Sequence, residues 1–215
     1  MSDHPLTFFG AALAARPSGA LWWASERLLA VSDLHLGKSE RMARRGGPLL
    51  PPYEGTDTLL RLDSEIAALA PRTVICLGDS FDDAEARLSE DEALWLARLM
   101  AGRRWIWIAG NHDPAPMETG GEHHAEWRAG ALTFRHEPIA GATGEVAGHY
   151  HPKARLAGRS RPCFLVDAAR IVMPAFGTYT GGLSCTAPDL RALMGDGALA
   201  VLTGPQALAV PLAAL

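Results

Sequence analysis

The sequence predicts an α/β layered fold in a single domain, and three observations support this prediction. The chain has 215 residues, a usual length for one domain and enough to bury a sizeable core. Strand-like apolar runs alternate with helical patterns in the first half. Short strand-like runs with little helix between them fill the second half. Because no linker, internal repeat or low-complexity tract divides the chain, we take residues 1–215 as one domain.

The first half follows the order strand, helix, strand, helix, strand. Apolar residues recur at helical spacing over residues 57–69, and Pro71 ends that pattern. Ser89 and Glu92 have the spacing of a capping box, which starts a second helix through about Met100. The predicted elements are strands at 6–9, 20–23 and 28–32, a helix at 57–69, a strand at 73–77, a helix at 89–100 and a strand at 104–109.

The second half is richer in strands. Trp105 and Trp107, in the last strand of the first half, are interpreted as core residues, whereas His123 and His124 lie in a stretch that resembles a loop. The predicted elements are strands at 126–128, 132–135, 144–148, 162–166 and 170–173, one short helix at 189–194, and strands at 198–202 and 207–210.

Composition excludes several classes of protein. The net charge of -4 and the pI of about 6.0 argue against a protein that coats nucleic acid through its overall charge, although not against a local basic patch. The three cysteines form no Cys-x-x-Cys pair, which fits a reducing cytoplasm. The N-terminus lacks the basic region of a signal peptide, and no apolar run approaches the roughly 20 residues that span a bilayer. We therefore expect a cytoplasmic protein without a membrane partner.

Metal-ligand side chains follow the ends of five strand-like runs. In each block a glycine or polar residue is followed directly by Asp, Asn or His. Asp33 and His35 are two residues apart, so an extended backbone would place them on the same side. The blocks are Asp33-Leu34-His35, Gly78-Asp79-Ser80-Phe81-Asp82, Gly110-Asn111-His112-Asp113, Arg135-His136-Glu137 and Gly148-His149-Tyr150-His151.

Together the five blocks predict a site for two divalent cations. They offer carboxylate, amide and imidazole groups without a thiolate, a set that suits manganese, iron or zinc. The five blocks contain more candidate ligands than one ion binds, which is about four to six. Two ions about 3.5–4 Å apart can hold both the attacking and the leaving oxygen of a phosphoryl group. The pattern therefore indicates hydrolysis of a phosphate ester.

From Asp33 to His151 the ordered blocks resemble the calcineurin-like metallophosphoesterases, and none of the motif residues is missing. The resemblance implies a four-layer α/β/β/α sandwich, in which helices flank two mixed sheets. It also implies two metal sites that share one carboxylate. Asp33, His35 and His151 would hold one metal, Asn111, His136 and His149 would hold the other, and Asp79 would bridge them.

The same resemblance implies roles for the residues around the metals. A metal-bridging hydroxide would attack phosphorus in line. His112 would act as general acid at the leaving oxygen, and Asp113 would orient its ring. Asp82 would lie behind the ligands and fix one of them or its loop. Manganese is the expected metal, with iron or zinc as alternatives.

A narrower resemblance covers nearly the whole chain. It points to the ligase-associated DNA damage response endonucleases, a bacterial branch of the same superfamily. The implied activity is a DNA endonuclease in repair, in functional association with an ATP-dependent DNA ligase, a helicase and an exonuclease. The segments that carry this resemblance are Gly19-Ala20-Leu21-Trp22-Trp23, Asp33-Leu34-His35-Leu36-Gly37-Lys38, Gly148-His149-Tyr150-His151-Pro152 and Pro174-Ala175-Phe176-Gly177.

A basic segment follows the first metal block. Its cations could hold neighbouring phosphates of a nucleic-acid strand beside the metals. The alternative interpretation is a solvated loop without a substrate role. The predicted phosphate-binding residues are Lys38, Arg41, Arg44 and Arg45.

Three other functions are open to test. The same site could hydrolyse a small phosphodiester such as a cyclic nucleotide. A non-catalytic scaffold would bind no metal, but a buried cluster of seven polar side chains would then be costly. A serine esterase built on Gly78-Asp79-Ser80 would need a later Asp-x-x-His to activate Ser80, and no histidine follows His151.

Overall fold

The computed structural model describes residues 2–51, 53–113 and 119–215, and these residues form two β-sheets with helices on their outer faces. The helices are α1 (Lys38–Arg44), α2 (Glu54–Leu69), α3 (Glu90–Met100) and α4 (Pro188–Leu193), with a 3-10 turn at Leu212–Ala214. The strands are β1 (His4–Phe8), β2 (Ala11–Ala15), β3 (Leu21–Trp23), β4 (Leu28–Val31), β5 (Thr73–Leu77), β6 (Arg104–Ile108), β7 (Glu122–His124), β8 (Glu126–Ala129), β9 (Leu132–Arg135), β10 (Glu145–Ala147), β11 (Lys153–Leu156), β12 (Arg159–Val166), β13 (Arg170–Val172), β14 (Leu199–Leu202) and β15 (Leu208–Pro211).

Both sheets are mixed. In the first sheet the strand order is β1-β2-β3-β4-β5-β6-β7, with antiparallel pairing up to β4 and parallel pairing from β4 to β7. In the second sheet the order is β15-β14-β12-β13-β10-β9-β8, with β11 paired to β12. Only β9, β10 and β13 run parallel to one another there, among the described residues. The parallel strands of each sheet therefore direct their carboxyl ends to a common edge.

Strand β4 shows why the first sheet lies inside the molecule. All four of its residues are buried. Leu28 and Ala30 pack into the core between the two sheets, whereas Leu29 and Val31 pack against the helices. Because successive side chains of a strand point to opposite faces, a strand that is apolar throughout needs cover on both sides.

Three apolar clusters separate four layers. One lies between the sheets, a second between the first sheet and helices α2 and α3, and a third between the second sheet and α4. Trp105 and Trp107 belong to the second cluster, as predicted. The order helix, sheet, sheet, helix confirms the predicted α/β/β/α sandwich.

Helix α3 begins where its sequence predicts. The hydroxyl of Ser89 accepts a hydrogen bond from the backbone of Glu92, and the Glu92 carboxylate accepts one from the backbone of Ser89. This reciprocal pair satisfies two backbone donors that would otherwise lack partners. The predicted capping box is confirmed.

Short or polar elements differ from the prediction. The sequence predicts a strand through Phe9, but Phe9 and Gly10 have φ of 46° and 78° and form a two-residue turn, so that Phe8 pairs with Ala11. Strands β2 and β11 and helix α1 were not predicted. Strand β7 replaces the loop expected around His123, because it pairs in parallel with β6. Tertiary pairing thus creates strands that lack an alternating pattern of their own.

Within the described parts of the chain, none of the helices combines the length and the apolar character needed to cross a lipid bilayer.

Candidate metal centre

The predicted ligands lie at one end of the sandwich, where strands of both sheets end. The parallel strands β4, β5 and β6 each lead into a ligand block, and so do β9 and β10 of the second sheet. Because carboxyl ends of parallel strands meet at one edge, blocks far apart in sequence come together there. Contacts between side chains link all seven predicted ligands into one cluster: Asp33, His35, Asp79, Asn111, His136, His149 and His151.

The backbone of this cluster is strained. Ten non-glycine residues of the described chain have positive φ, and half of them are predicted metal ligands. Such conformations cost of order 1–3 kcal/mol each and persist where the surrounding structure enforces them, commonly at functional sites. The five ligands are Asp33, His35, Asp79, His149 and His151, with φ between 45° and 71°.

The first group of ligands consists of Asp33, His35 and His151. One ligand atom from each lies within 4.8 Å of the others. The Nε2 atom of His151 is 3.0 Å from Asp33 Oδ1, and the rings of His35 and His151 meet edge to face. All three side chains are largely buried, which limits the water available to their polar atoms.

The second group is built around His136. Its Nε2 lies 2.9 Å from Asn111 Oδ1 and 3.2 Å from His149 Nδ1, and His149 Nδ1 lies 3.0 Å from Asn111 Oδ1. Nδ1 of His136 is 2.9 Å from the Leu77 carbonyl oxygen, which can only accept a hydrogen bond. Nδ1 therefore carries the proton and donates to Leu77, which leaves Nε2 as the atom directed at Asn111 and His149.

The surroundings of His136 favour positive charge. Burial lowers the pKa of His136, but the hydrogen bond with Asp79, the charges of Asp33 and Asp79, and the Leu77 carbonyl raise it to about 9. Burial and the neighbouring His136 lower the pKa of His149. When His136 is positively charged, protonation of His149 is therefore disfavoured, because two adjacent cations repel each other. A cation coordinated by both rings would remove this conflict.

Asp79 lies between the two groups. Its Oδ2 is 3.5 Å from His136 Nε2, and its Oδ1 accepts a hydrogen bond of 2.8 Å from the backbone N–H of His112. Burial raises the pKa of Asp79, but the hydrogen bond and charge of His136 and the backbone N–H of His112 lower it well below its usual range. The carboxylate is therefore ionised at neutral pH in a buried position.

Asp82 lies directly behind His35. Its Oδ1 is 2.8 Å from His35 Nδ1, and the same carboxylate pairs with Arg41 and lies 3.6 Å from Lys38. Burial raises the pKa of Asp82, but the His35 imidazole at 2.8 Å and the charges of Lys38 and Arg41 lower it to about 2. With Nδ1 held by Asp82, the Nε2 atom of His35 is the one free to bind a metal.

The donor atoms fit divalent cations. His35 Nε2 and His151 Nε2 are buried and make no hydrogen bond to any described residue, although Asp33 lies 3.0 Å from the latter. Buried polar atoms that approach each other without hydrogen-bond geometry are costly unless another group satisfies them. A cation would do so, and oxygen and imidazole ligands together suit manganese, iron or zinc.

His112 lies at the rim of the cluster. Its side chain is 37% exposed, and its Nδ1 is 2.9 Å from the Asp82 carbonyl oxygen, to which it donates. Its Nε2 lies 4.0 Å from Asp79 Oδ2. The ring is thus fixed through Nδ1, and Nε2 is free to contact a group bound beside the predicted ligands.

The contacts of Asp113 differ from the prediction. The sequence predicts that Asp113 orients the ring of His112, but the Asp82 carbonyl makes that contact. Asp113 Oδ2 instead accepts from the backbone N–H groups of Ser80 and Phe81, and Oδ1 accepts from Gly110. Burial raises the pKa of Asp113 to about 6 despite these hydrogen bonds. Asp113 therefore ties the loop after β5 to the loop after β6.

Two glycines allow the loops to approach this closely. A Cβ atom on Gly78 would overlap the ring of His136, and one on Gly148 would overlap Ser32 and Asp33. Ser32 itself was not predicted as part of the site. Its buried hydroxyl donates to Asp33 Oδ2 and limits the orientations of that carboxylate. No pattern in the sequence distinguishes Ser32 from an ordinary residue at the end of a strand.

The predicted phosphate-binding residues are already paired with carboxylates. Lys38 and Arg41 face Asp82. Arg44 contacts Glu40 at 3.0 Å, Asp83 at 2.9 Å and Glu85 at 2.6 Å, and Arg45 contacts Asp83 at 3.0 Å. Helix α1 therefore carries little unbalanced positive charge beside the metal cluster, and phosphate binding by these residues stays a prediction.

Comparison with known proteins gives two positive findings. The family model described as calcineurin-like phosphoesterase matches residues 26–171, which contain all seven predicted ligands. The crystal structure of Pseudomonas putida nuclease MPE is 28% identical in sequence and superposes with a TM-score of 0.77, covering 97% of this chain and 100% of that chain. A search of curated proteins gave no match. Both the sequence and the architecture therefore relate the chain to phosphoesterases.

Proposed function

Because the chain belongs to the calcineurin-like phosphoesterase family, and is therefore a metal-dependent phosphoesterase, we propose that it is a nuclease that hydrolyses DNA phosphodiesters. The observation that carries this proposal is the cluster of seven ligand side chains from five strand ends. The similarity to the Pseudomonas putida nuclease, which extends over nearly the whole chain, supports a nucleic-acid substrate.

The proposed centre takes two divalent cations, with manganese as the expected metal. Asp33, His35 and His151 would hold one cation, and Asp79 would contribute to both sites. Asn111, His136 and His149, whose ligand atoms lie 2.9 to 3.2 Å apart, would hold the second. When bound, such cations stabilise the negative charge that develops on a phosphoryl group during hydrolysis.

The side chains around the ligands have separate tasks in this proposal. His112 donates a proton from Nε2 to the leaving oxygen, because its Nδ1 is already held by the Asp82 carbonyl. Asp82 holds His35 in the orientation that presents Nε2 to the cluster. Asp113 fixes the distance between the loops that carry Asp79 and Asn111.

We assign this activity to DNA repair on the narrower sequence resemblance. That assignment includes functional association with an ATP-dependent DNA ligase, a helicase and an exonuclease. A cytoplasmic location fits the three cysteines, which are buried and form no disulfide within the described residues.

The test is manganese-dependent cleavage of end-labelled single-stranded and duplex DNA by the wild-type protein and by His112→Ala. We expect internal cuts that need the metal, and about 10²- to 10⁴-fold slower cleavage by the variant, because positioned general acids contribute that much. Metal content should stay unchanged, since His112 is not among the proposed ligands. His123→Ala is the matched control, because that half-buried imidazole stacks on Trp107 outside the cluster.

Two results would contradict the proposal. Full DNA cleavage by His112→Ala would remove that residue from the mechanism. Protein that holds two metals and hydrolyses bis(p-nitrophenyl) phosphate, but leaves both forms of DNA intact, would not be a DNA nuclease. A cyclic nucleotide would then be the next substrate to test.

A further inference from the structure

Residues 153–162 form a two-stranded ribbon at the edge of the sandwich where the predicted metal ligands lie. In the ribbon, β11 pairs with the first half of β12. Strand β12 runs antiparallel to β13, which is parallel to β10 and β9. Because β9 and β10 lead at their carboxyl ends into His136 and His149, the amino end of β12 lies at that same edge. Strand β11 begins two residues after His151, so the base of the ribbon adjoins the ligand cluster.

The ribbon projects beyond the second sheet. Leu165 of β12 is level with Val172 of β13, and Val172 is level with Ala147, the last residue of β10. Arg159 lies six residues before Leu165, so an extended chain carries it up to roughly 20 Å past the end of β10. Residues 157 and 158 close the ribbon with φ of 49° and 78°, which is typical of a tight two-residue hairpin turn. The ribbon is therefore a defined projection that stands beside the ligand cluster.

The ribbon carries four cations and no carboxylate. Side chains two residues apart on a strand share a face, as do residues directly opposite each other in an antiparallel pair. The register therefore places Lys153 and Arg155 on one face of the ribbon. Arg159 and Arg161 lie on the other face. Both faces are thus positively charged, although the protein as a whole has a net charge of -4.

These four cations form no ion pair with a carboxylate anywhere in the described parts of the chain. Lys153 donates instead to the Thr180 carbonyl at 3.0 Å. Arg161 packs against the turn at Gly204, where a Cβ atom would lie 3.6 Å from one of its guanidinium nitrogens. The other two arginines are exposed. The ribbon therefore differs from α1, whose cations face carboxylates.

The missing counter-charge indicates an anionic partner. Like charges held in one short hairpin repel one another, and the described residues do not neutralise them. Phosphates along a nucleic-acid backbone would do so, and the release of condensed counterions would favour their binding. A strand with a phosphodiester at the metal cluster would place its neighbouring phosphates beside the ribbon, because the ribbon begins two residues after His151.

We propose that the ribbon binds backbone phosphates of the DNA strand that enters the metal cluster. This inference rests on the proposed function, and it assigns the cations that hold the substrate to residues 153–161 of the ribbon. Contacts to phosphates fix the position of a strand without reading its sequence. The ribbon therefore contributes affinity and register at the cluster, and it takes no part in the chemical step.

The test compares two double variants that each remove two exposed arginines. Arg155→Gln/Arg159→Gln changes the ribbon. Arg27→Gln/Arg72→Gln is the matched control, because these exposed residues directly precede β4 and β5, at the opposite edge of the first sheet. KM is measured with manganese on whichever form of end-labelled DNA the wild-type protein cleaves, between about 0.05 and 0.2 M salt, the range over which phosphate contacts show their salt dependence. Hydrolysis of bis(p-nitrophenyl) phosphate is measured in parallel.

We expect Arg155→Gln/Arg159→Gln to raise KM for DNA about 15- to 35-fold at about 0.15 M salt, because each phosphate contact contributes a factor of about four to six there. The slope of log KM against log salt concentration should fall by about 1.4 to 1.8. Hydrolysis of bis(p-nitrophenyl) phosphate should stay unchanged, since that substrate has no neighbouring phosphate. Arg155→Lys/Arg159→Lys should keep the wild-type slope, and the control variant should keep both KM and slope.

Three results would overturn the inference alone. The first is an unchanged KM and salt slope in Arg155→Gln/Arg159→Gln. The second is an equal loss in the control variant, because the effect would then come from overall charge. The third is an equal loss on bis(p-nitrophenyl) phosphate, which would give the ribbon a purely structural role. Wild-type protein that hydrolyses bis(p-nitrophenyl) phosphate but cleaves no DNA would instead overturn the proposed function, and this inference with it.

Discussion

The cluster of predicted metal ligands and helix α1 lie side by side, and the sequence predicts a functional role for polar residues of both. In the cluster, His35 Nε2 and His151 Nε2 are buried without a hydrogen-bond partner among the described residues, although Asp33 Oδ1 lies 3.0 Å from the latter. At the C-terminal end of α1, Arg44 and the following Arg45 point to carboxylates that neutralise them. The ligand cluster therefore lacks a binding partner that the described residues do not supply, whereas the cations of α1 already have carboxylate partners.

This difference shows how two polar regions can be distinguished. A polar group left unpaired inside a protein costs more than a hydrogen bond returns, so a cluster of such groups that are also metal-ligand atoms is a candidate binding site. Ion pairs near the surface cost little and stabilise little. Pairing state therefore separates a binding site from a solvated face better than the number of charges does.

The largest expected effect comes from breaking the centre of the cluster. Asp79→Ala removes the carboxylate between the two groups of ligands, and we expect loss of at least one metal and an activity at least about 10³-fold lower, since metal catalysis contributes several kcal/mol. Metal analysis and hydrolysis of bis(p-nitrophenyl) phosphate measure both effects. Asp83→Ala, which removes a carboxylate of the same loop that faces α1, is the matched control.

Two bound metals and full activity in Asp79→Ala would refute the assignment of the centre. Asp79→Asn serves as a second variant, because it keeps the shape of the side chain and the bond to His112 while removing the charge.

A smaller effect is expected at Asp82, which lies behind the predicted ligand His35. Asp82→Asn keeps the size of the side chain but removes the charge that orients His35 and pairs with Arg41. We expect about 10- to 100-fold weaker manganese binding, the usual cost of losing a carboxylate behind a metal-bound histidine. Titration of the metal-free protein with manganese measures this, with Asp83→Asn as the control. Unchanged affinity would mean that His35 is oriented without Asp82.

The smallest effect is expected in α1. In the double variant Arg44→Gln/Arg45→Gln, KM for DNA should rise by no more than about threefold, because both guanidinium groups are already neutralised and few counterions are released through them. The salt dependence of KM should stay the same. A tenfold rise with a weaker salt dependence would instead show that α1 exchanges its carboxylate partners for DNA phosphates, as the sequence alone predicts.

Much of the fold follows from local patterns, and its exceptions have physical causes. Strands β4, β5 and β6 are apolar and bounded by glycine or polar residues, so their sequences identify them. Strand β7 has the sequence Glu-His-His and becomes a strand only because β6 offers it an edge. Helix α1 buries none of its residues, so no apolar periodicity could predict it.

In the candidate site, too, some features follow from the local sequence and others depend on tertiary contacts. The ligand blocks are recognisable because their residue types and order are restrictive, and the structure brings all seven predicted ligands together. The partner of the His112 ring was not predictable. A neighbour in sequence, Asp113, was expected, but a backbone carbonyl from another loop makes the contact.

The sequence by itself determined which side chains are candidates for the chemistry and which strands form the buried centre, because both depend on residue type and short spacing. Only the tertiary structure decided what each polar group faces. It paired the cations of α1 with carboxylates, and it left His35 and His151 without hydrogen bonds to described residues at Nε2. Those outcomes depend on contacts between residues distant along the chain, which form only when the two sheets pack together.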